Sequence, residues 1–430
     1  SQERKLAESS GQTKTDKIEV SSPKKYNKAA HLFNVHSWAP IYFSVDNVTS
    51  MSYDYTYDLV SLGALALSQN QLGTFVASAG YSAHKDPNPY DETSWKHSGH
   101  LKMTYSGLYP VLEAEIDFND RNAIQSNFEI GVLDDKITTG RSSNRLLDIP
   151  NLSASFSAYV PFNFSTGGWQ RGLIPKITYN ISNDIINDAL VVKTLYPDFL
   201  GGYQESFQGV TDGKFRVQQS INASIRGYAM RPVATNGVFP KWGVGAEAGL
   251  VGNVGIMKLQ SPMAYGYLYG YVPGFMSTHG LKMSMLSQFR ISSSGIFSRN
   301  VVNTLPRGLA KNVQALSLLG SGGNAIVKAS FDYACPIYIG DIAIANNFMY
   351  IRRLTVTPHF DLTASAMGSL YSVGTSMQLD MKSVFWIGAP VSVGLTYSYN
   401  GGSAFSEFSK KGINLGRHYI GPVFSVSLPN

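Results

Sequence analysis

One cysteine, Cys335, is all that the 430-residue chain holds, which excludes an internal disulfide and a cysteine-built metal site. Charge is scarce as well: Asp, Glu, Lys and Arg make up 15% of the residues, against roughly 25% in an average soluble domain. No apolar run reaches the roughly 18 residues of a helical membrane crossing, so a helical span is excluded. Signatures of chemistry are missing too. Gly243-Val244-Gly245 lies in a strand pattern with no helix after it, as phosphate binding would require. The closest histidine pair, His97 and His100, has no further ligands at metal-site spacing. No nucleophile elbow organises the many Ser, His and Asp residues. The expectation is a protein without enzymatic activity, cofactor, metal or nucleic-acid partner.

What the chain does have is 41 Gly, 25 Tyr and 22 Phe, a mix suited to many strands and turns. Residues 1–28 are polar and carry Lys5, Lys14, Lys17, Lys24, Lys25 and Lys28, which reads as a solvated tether. No leader is visible at Ser1, so a mature or truncated product is expected, and whether an upstream domain was removed stays open at this point. The division expected is a tether over 1–37 and one all-β domain over 38–430.

Beyond the tether the pattern has a period of two. Glu113, Glu115 and Asp117 oppose Leu112, Ala114, Ile116 and Phe118, an acidic stripe best read as pore lining. Lys328, Ser330 and Asp332 oppose Val327, Ala329, Phe331 and Tyr333. Thr355, Thr357, His359 and Asp361 oppose Leu354, Val356, Phe360 and Leu362, and Ser392, Thr396 and Ser398 oppose Val393, Leu395, Tyr397 and Tyr399. A soluble sandwich shows such faces too. Two features favour a transmembrane antiparallel β-barrel: strands near ten residues, and short turns (69–74, 106–110, 272–276) alternating with long connections (84–96, 120–150, 182–214, 291–322). Strand starts near 40, 57, 75, 98, 111, 152, 171, 215, 241, 262, 278, 324, 348, 371, 390 and 418 give sixteen, with both chain ends on the short-turn, periplasmic side. Segment 126–133 reads as a hairpin within a loop.

The last strand, Tyr419-Ile420-Gly421-Pro422-Val423-Phe424-Ser425-Val426, resembles the terminal signal of outer-membrane barrels, with Tyr419, Gly421, Phe424 and Val426 at its key positions. Asn70-Gln71-Leu72-Gly73-Thr74 resembles an early turn of BamA-type outer-membrane assembly and translocation barrels. Gly322-Gly323-Asn324-Ala325, continuing to Tyr333, resembles the strand after their sixth external loop, and Pro306-Arg307-Gly308-Leu309 occupies the place of that loop's motif. Pro306 and Leu309 depart from the family's β-branched and aromatic residues. Ile225-Arg226-Gly227-Tyr228 matches better by letter but lies in an alternating strand, where Arg226 would face the lumen. His31–Trp38 resembles the junction of Bacteroidota proteins that join a periplasmic propeller to such a barrel, with Trp38 and Tyr42 at the inner interface.

The resemblance implies a loop folded into the lumen, anchored by Arg307 and Gly308 against Asp332 and Asp361. It also implies a role in outer-membrane protein assembly or translocation within a larger complex. The partners implied are outer-membrane lipids, other outer-membrane or periplasmic subunits, and unfolded barrel substrates. A structural barrel that anchors such subunits and a passive porin-like channel are the alternatives.

Overall fold

The computed structural model describes residues 33–43, 60–85, 95–133, 136–183, 185–197, 202–210, 218–233, 237–254, 261–292, 301–312, 315–316, 318–319, 325–344, 349–384 and 391–426. Residues 1–32 of the expected 1–37 tether and the Gly322-Gly323-Asn324 segment lie outside them.

Among the described residues nineteen strands form one sheet. In order they are β1 (Val35–Phe43), β2 (Val60–Gln69), β3 (Phe75–Lys85), β4 (Trp95–Tyr105), β5 (Val111–Leu133), β6 (Lys136–Tyr159), β7 (Phe162–Asn163), β8 (Gln170–Ser182), β9 (Ile185–Pro197) and β10 (Tyr203–Val210). There follow β11 (Gln218–Met230), β12 (Gly243–Asn253), β13 (Met263–Pro273), β14 (Gly280–Arg290), β15 (Ala325–Ile344), β16 (Met349–Ser365), β17 (Gly368–Val384), β18 (Val391–Gly401) and β19 (His418–Val426). A short helix, α1 (Phe405–Lys410), sits between β18 and β19. Three of the nineteen, β7, β9 and β10, are side branches. The other sixteen pair antiparallel, each with the next, from β1 to β19, and five of them follow the 291–324 connection. Among the described residues no ladder joins β1 to β19.

The distribution of polarity is the reverse of a soluble domain. Leu112, Phe156, Ile225, Leu250, Met285, Phe331, Phe360, Leu395 and Ile420 are exposed, while Ser157, Lys328, Asp332, His359, Asp361, Thr363, Ser376, Thr396 and Asn400 are buried. Side chains along a strand alternate between faces, so this sorts each strand into an apolar outer and a polar inner row. Such a wall is stable only where lipid meets the outer row, as in a transmembrane barrel. The four alternating segments of the sequence fall on these faces as read, including Arg226 inside, near the Tyr269 ring (6.0 Å).

Three features differ from the sequence reading. The 120–150 segment is more than a loop with a hairpin at 126–133: β5 and β6 stay paired through it past the end of β4, with β9 adding parallel to β5 and β10 antiparallel to β9. Asn119, at φ 57°, marks where β5 leaves the wall, and the β5–β6 register slips just after it. The β16–β17 connection is a tight turn at 366–367 although it belongs to the long-loop rim. Its Met367 packs against the apolar cluster of the neighbouring long loops, which fill that sector instead. Of the pair expected at the inner interface, Tyr42 does not face the membrane: its ring stacks on His100 across the lumen face (4.2 Å) and covers Gly80, while Trp38 points outward at 74% exposure. β1 itself begins at Val35.

Candidate functional site

Within the 291–324 connection the described segment 301–312 lies inside the barrel and is bonded to five consecutive strands. At its start the amides of Val301 and Val302 donate to Gln288 Oε1 on β14 (3.0 and 3.3 Å). Asn303 organises the next turn locally, accepting from the Leu305 amide (3.1 Å) and donating to the Ala310 carbonyl (2.9 Å). Thr363 Oγ1 on β16 donates to the Thr304 carbonyl (2.5 Å). Pro306, at φ −57° and ψ 151°, leads into a single 3₁₀ turn over Arg307–Leu309. The missing N–H of a proline costs nothing at such a start.

The four residues assigned to the loop anchor from the sequence converge here. Arg307 Nη2 donates to Asp332 Oδ1 on β15 at 2.6 Å and lies 3.6 Å from Asp361 Oδ1 on β16. The Arg307 backbone amide donates to Asp361 Oδ2 (2.8 Å). Asp361 thus holds the turn by backbone as well as by charge. Arg307, Asp332 and Asp361 are at most 4% exposed. Lys282 on β14 is the register partner of Asp332, so two cations meet two carboxylates in this part of the lumen. Ion pairs this deeply desolvated hold only with close geometry and extra hydrogen bonds, both of which are present.

Gly308 is required by close approach rather than by its backbone angles. Its amide donates to Ser372 Oγ on β17 (3.2 Å), and its carbonyl accepts from Asn400 Nδ2 on β18 (3.3 Å). A Cβ at this position would lie 2.1 Å from Asn400 Oδ1 and 2.9 Å from Ser372 Oγ. Asn400 is fully buried and also holds the Gly416 carbonyl (2.9 Å), so it has little room to yield. Ser330, Asp361, Ser372 and Asn400 are successive register partners across β15–β18 and form one inward row beneath the turn.

Leu305 and Leu309, on either side of the anchor, belong to a buried cluster with Ala315, Leu319, Ile326, Leu370, Ala404, Phe408 and Leu415. Arg307-Gly308 is therefore the polar underside of an apolar plug, built jointly by the 291–324 and 402–417 connections. The two departures at the family motif are thereby accounted for: Leu309 fills this cluster and Pro306 starts the turn. On β16, two residues to either side of Asp361, His359 Nε2 bonds with Ser398 Oγ (2.9 Å) and Thr363 bonds the loop.

Gln288, Thr363, Ser372 and Asn400 were not singled out from sequence. Alternation marks each as inward, but nothing local tells that a segment up to 92 residues away reaches it.

Other candidate residues fall elsewhere. Glu113 pairs with Lys176 (2.9 Å), and Asp117 Oδ1 lies 2.7 Å from His100 Nδ1, so both ends of the acidic stripe are tied into the inner wall. His97 and His100 lie on opposite faces; His97 meets the Tyr81 hydroxyl, and His100 Nε2 meets Ser82 Oγ (2.9 Å). With Ser82 at 1% exposure, the Ser82–His100–Asp117 chain is a structural tie across β3–β5. Tyr419 lies in β19 with its ring folded over Gly421, where a Cβ would meet the hydroxyl at 2.2 Å. Phe424 and Val426 continue β19, and their side chains lie outside the described residues.

No family model and no curated protein sequence matches the chain. Among solved structures it is similar to BamA from Haemophilus ducreyi lacking POTRA domains 1-3, with 13% identity and a TM-score of 0.43. That match covers 86% of this chain and 68% of the other. It is also similar to CdiB from Escherichia coli, with 9% identity and a TM-score of 0.42, covering 87% of this chain and 60% of that one.

Proposed function

We propose that this barrel acts in outer-membrane protein assembly or translocation, as one part of a larger complex, with both chain ends on the periplasmic side. The observation that carries the reading is the seam: β1 and β19 are the ends of the wall, and no ladder joins them among the described residues. An unpaired strand end in a membrane wall is a template on which an incoming strand can pair. β19 also carries the Tyr419–Val426 segment that resembles a barrel terminal signal. Such work needs no cofactor, and its partners are lipids, neighbouring subunits and unfolded barrels.

The plug weighs against a passive channel. So does a second closure at the short-turn rim, where Arg353 Nη1 on β16 donates to the Gly237 carbonyl in the β11–β12 connection (3.0 Å). The test is depletion of the protein in its own cells, with folded outer-membrane barrels counted by heat-modifiable gel mobility. An assembly or translocation role predicts that folded barrels fall while their unfolded precursors accumulate. Unchanged barrels, with only bound subunits lost from the membrane, would instead support a structural anchor.

A further inference from the structure

β14 begins at Gly280, opposite Ala334, yet β15 continues to Ile344. Its last ten residues, Cys335–Ile344, pair with β16 on one side and, among the described residues, have no ladder on the other. We infer that this free edge of β15 is a strand-docking site that receives an extended, uncharged, apolar segment of another polypeptide.

Neither solvent suits the edge as it stands. Ile337, Tyr338, Ile339, Ile342 and Ile344 are 44–66% exposed, a concentration that water disfavours. Lipid in turn leaves the free N–H and C=O groups of an open edge unsatisfied. An added strand answers both, because main-chain bonds complete the ladder while its side chains cover the isoleucines. The patch continues onto the adjoining β13–β14 turn, where Phe275 is 97% and Met276 64% exposed. The Phe275 amide donates to the Tyr333 hydroxyl (3.1 Å) just above the edge.

The edge also selects its occupant. Pro336 lacks a donor, and the β15–β16 register breaks between Tyr338 and Ile342, with Gly340 at φ +96°. These features confine pairing to two short windows, Ile337–Ile339 and Ile342–Ile344, which guards against indiscriminate edge pairing. The one charge, Asp341, lies 3.8 Å from Lys382, whose ammonium also sits over the Tyr350 ring (4.9 Å). The edge therefore calls for no charged partner. A second copy is a poor occupant: two-fold antiparallel pairing centred on Asp341 would set the two Asp341 carboxylates directly opposite each other, a like-charge pair that destabilises a ladder.

The test uses Ile344→Cys in a Cys335→Ala background and a soluble maleimide, comparing native membranes with the purified chain in lipid nanodiscs. Labelling is expected to be fast in nanodiscs and about tenfold slower in native membranes. Adding Ile342→Lys, a charge on the edge, restores the fast rate. Equal rates in both preparations, equally slow labelling in nanodiscs, or cross-linking of Ile344→Cys to a second copy would each overturn the proposal. Amide exchange of residues 337–344 in the unaltered chain gives the same decision if a variant fails to fold. The readout is coverage of β15, so it stands or falls separately from the assembly role.

Discussion

Arg307 Nη2 lies 2.6 Å from Asp332 Oδ1, joining the inserted loop to the strand that follows it in the chain. The pair is almost fully buried, so its value lies in what is left behind when one partner goes. Arg307→Ala leaves two lumen carboxylates with Lys282 alone and is expected to cost the docked loop about 3 kcal/mol. The wall, held by its own ladders, stays folded. Heat-modifiable mobility should be retained, while amide exchange and protease cleavage rise across 301–312. Arg307→Lys should rescue poorly, since an ammonium does not offer the planar guanidinium fork. Native-like loop protection in Arg307→Ala would sink the anchor.

How much of this was legible in the sequence follows from the range of each interaction. Alternation is local, so the sixteen wall strands and their inner and outer rows could be read directly, down to Arg226 facing the lumen. Arg307, Gly308, Asp332 and Asp361 came from motif resemblance and from the need of a buried guanidinium for carboxylates. Ser372 and Asn400 could not be found, because their bonds to Gly308 span 64 and 92 residues and depend on how far the loop descends. Of the β5–β6 extension only a hairpin at 126–133 was legible, and polar composition hid the rest. Its two strands pair with each other and so satisfy their backbone groups.

Gly308→Ala tests close approach separately from charge. The added methyl meets Asn400 Oδ1 and Ser372 Oγ, so undocking is expected at a cost of about 1–3 kcal/mol with Arg307 intact. Combining it with Asn400→Ala should recover part of that cost, a non-additivity diagnostic of direct contact. Strict additivity in a double-mutant cycle on loop protection would show that the two residues do not meet.

The short-turn mouth has its own tie. Asp380 receives Arg353 Nε (2.5 Å), Thr355 Oγ1 (2.6 Å) and Ser392 Oγ (2.6 Å), and so aims Arg353 at the Gly237 carbonyl. Arg353→Ala should release the 237–242 segment and raise ion conductance in planar bilayers. Asp380→Ala should destabilise the barrel further, because the guanidinium then loses its carboxylate. Unchanged conductance in Arg353→Ala would exclude this segment as a closure.

The outer row predicts an asymmetry between the faces of a single strand. Leu395→Arg, on the lipid side of β18, should cost about 2–4 kcal/mol if it lies near the bilayer centre. Thr396→Val, its inward neighbour, loses only the bond from Ser376 Oγ (2.9 Å) and should cost about 1 kcal/mol. Urea titration of folding into lipid vesicles reads both, and equal costs would contradict the assignment of faces.

The central claim is that the wall works through the seam between β1 and β19. Cysteine pairs scanned along 37–41 and 420–424, in a Cys335→Ala background, can lock that seam by oxidation in native membranes. The account predicts that a locked seam stops folded outer-membrane barrels from accumulating and that reduction restores them, with the mobility of the protein itself unchanged. Undiminished accumulation with the seam fully cross-linked would contradict it.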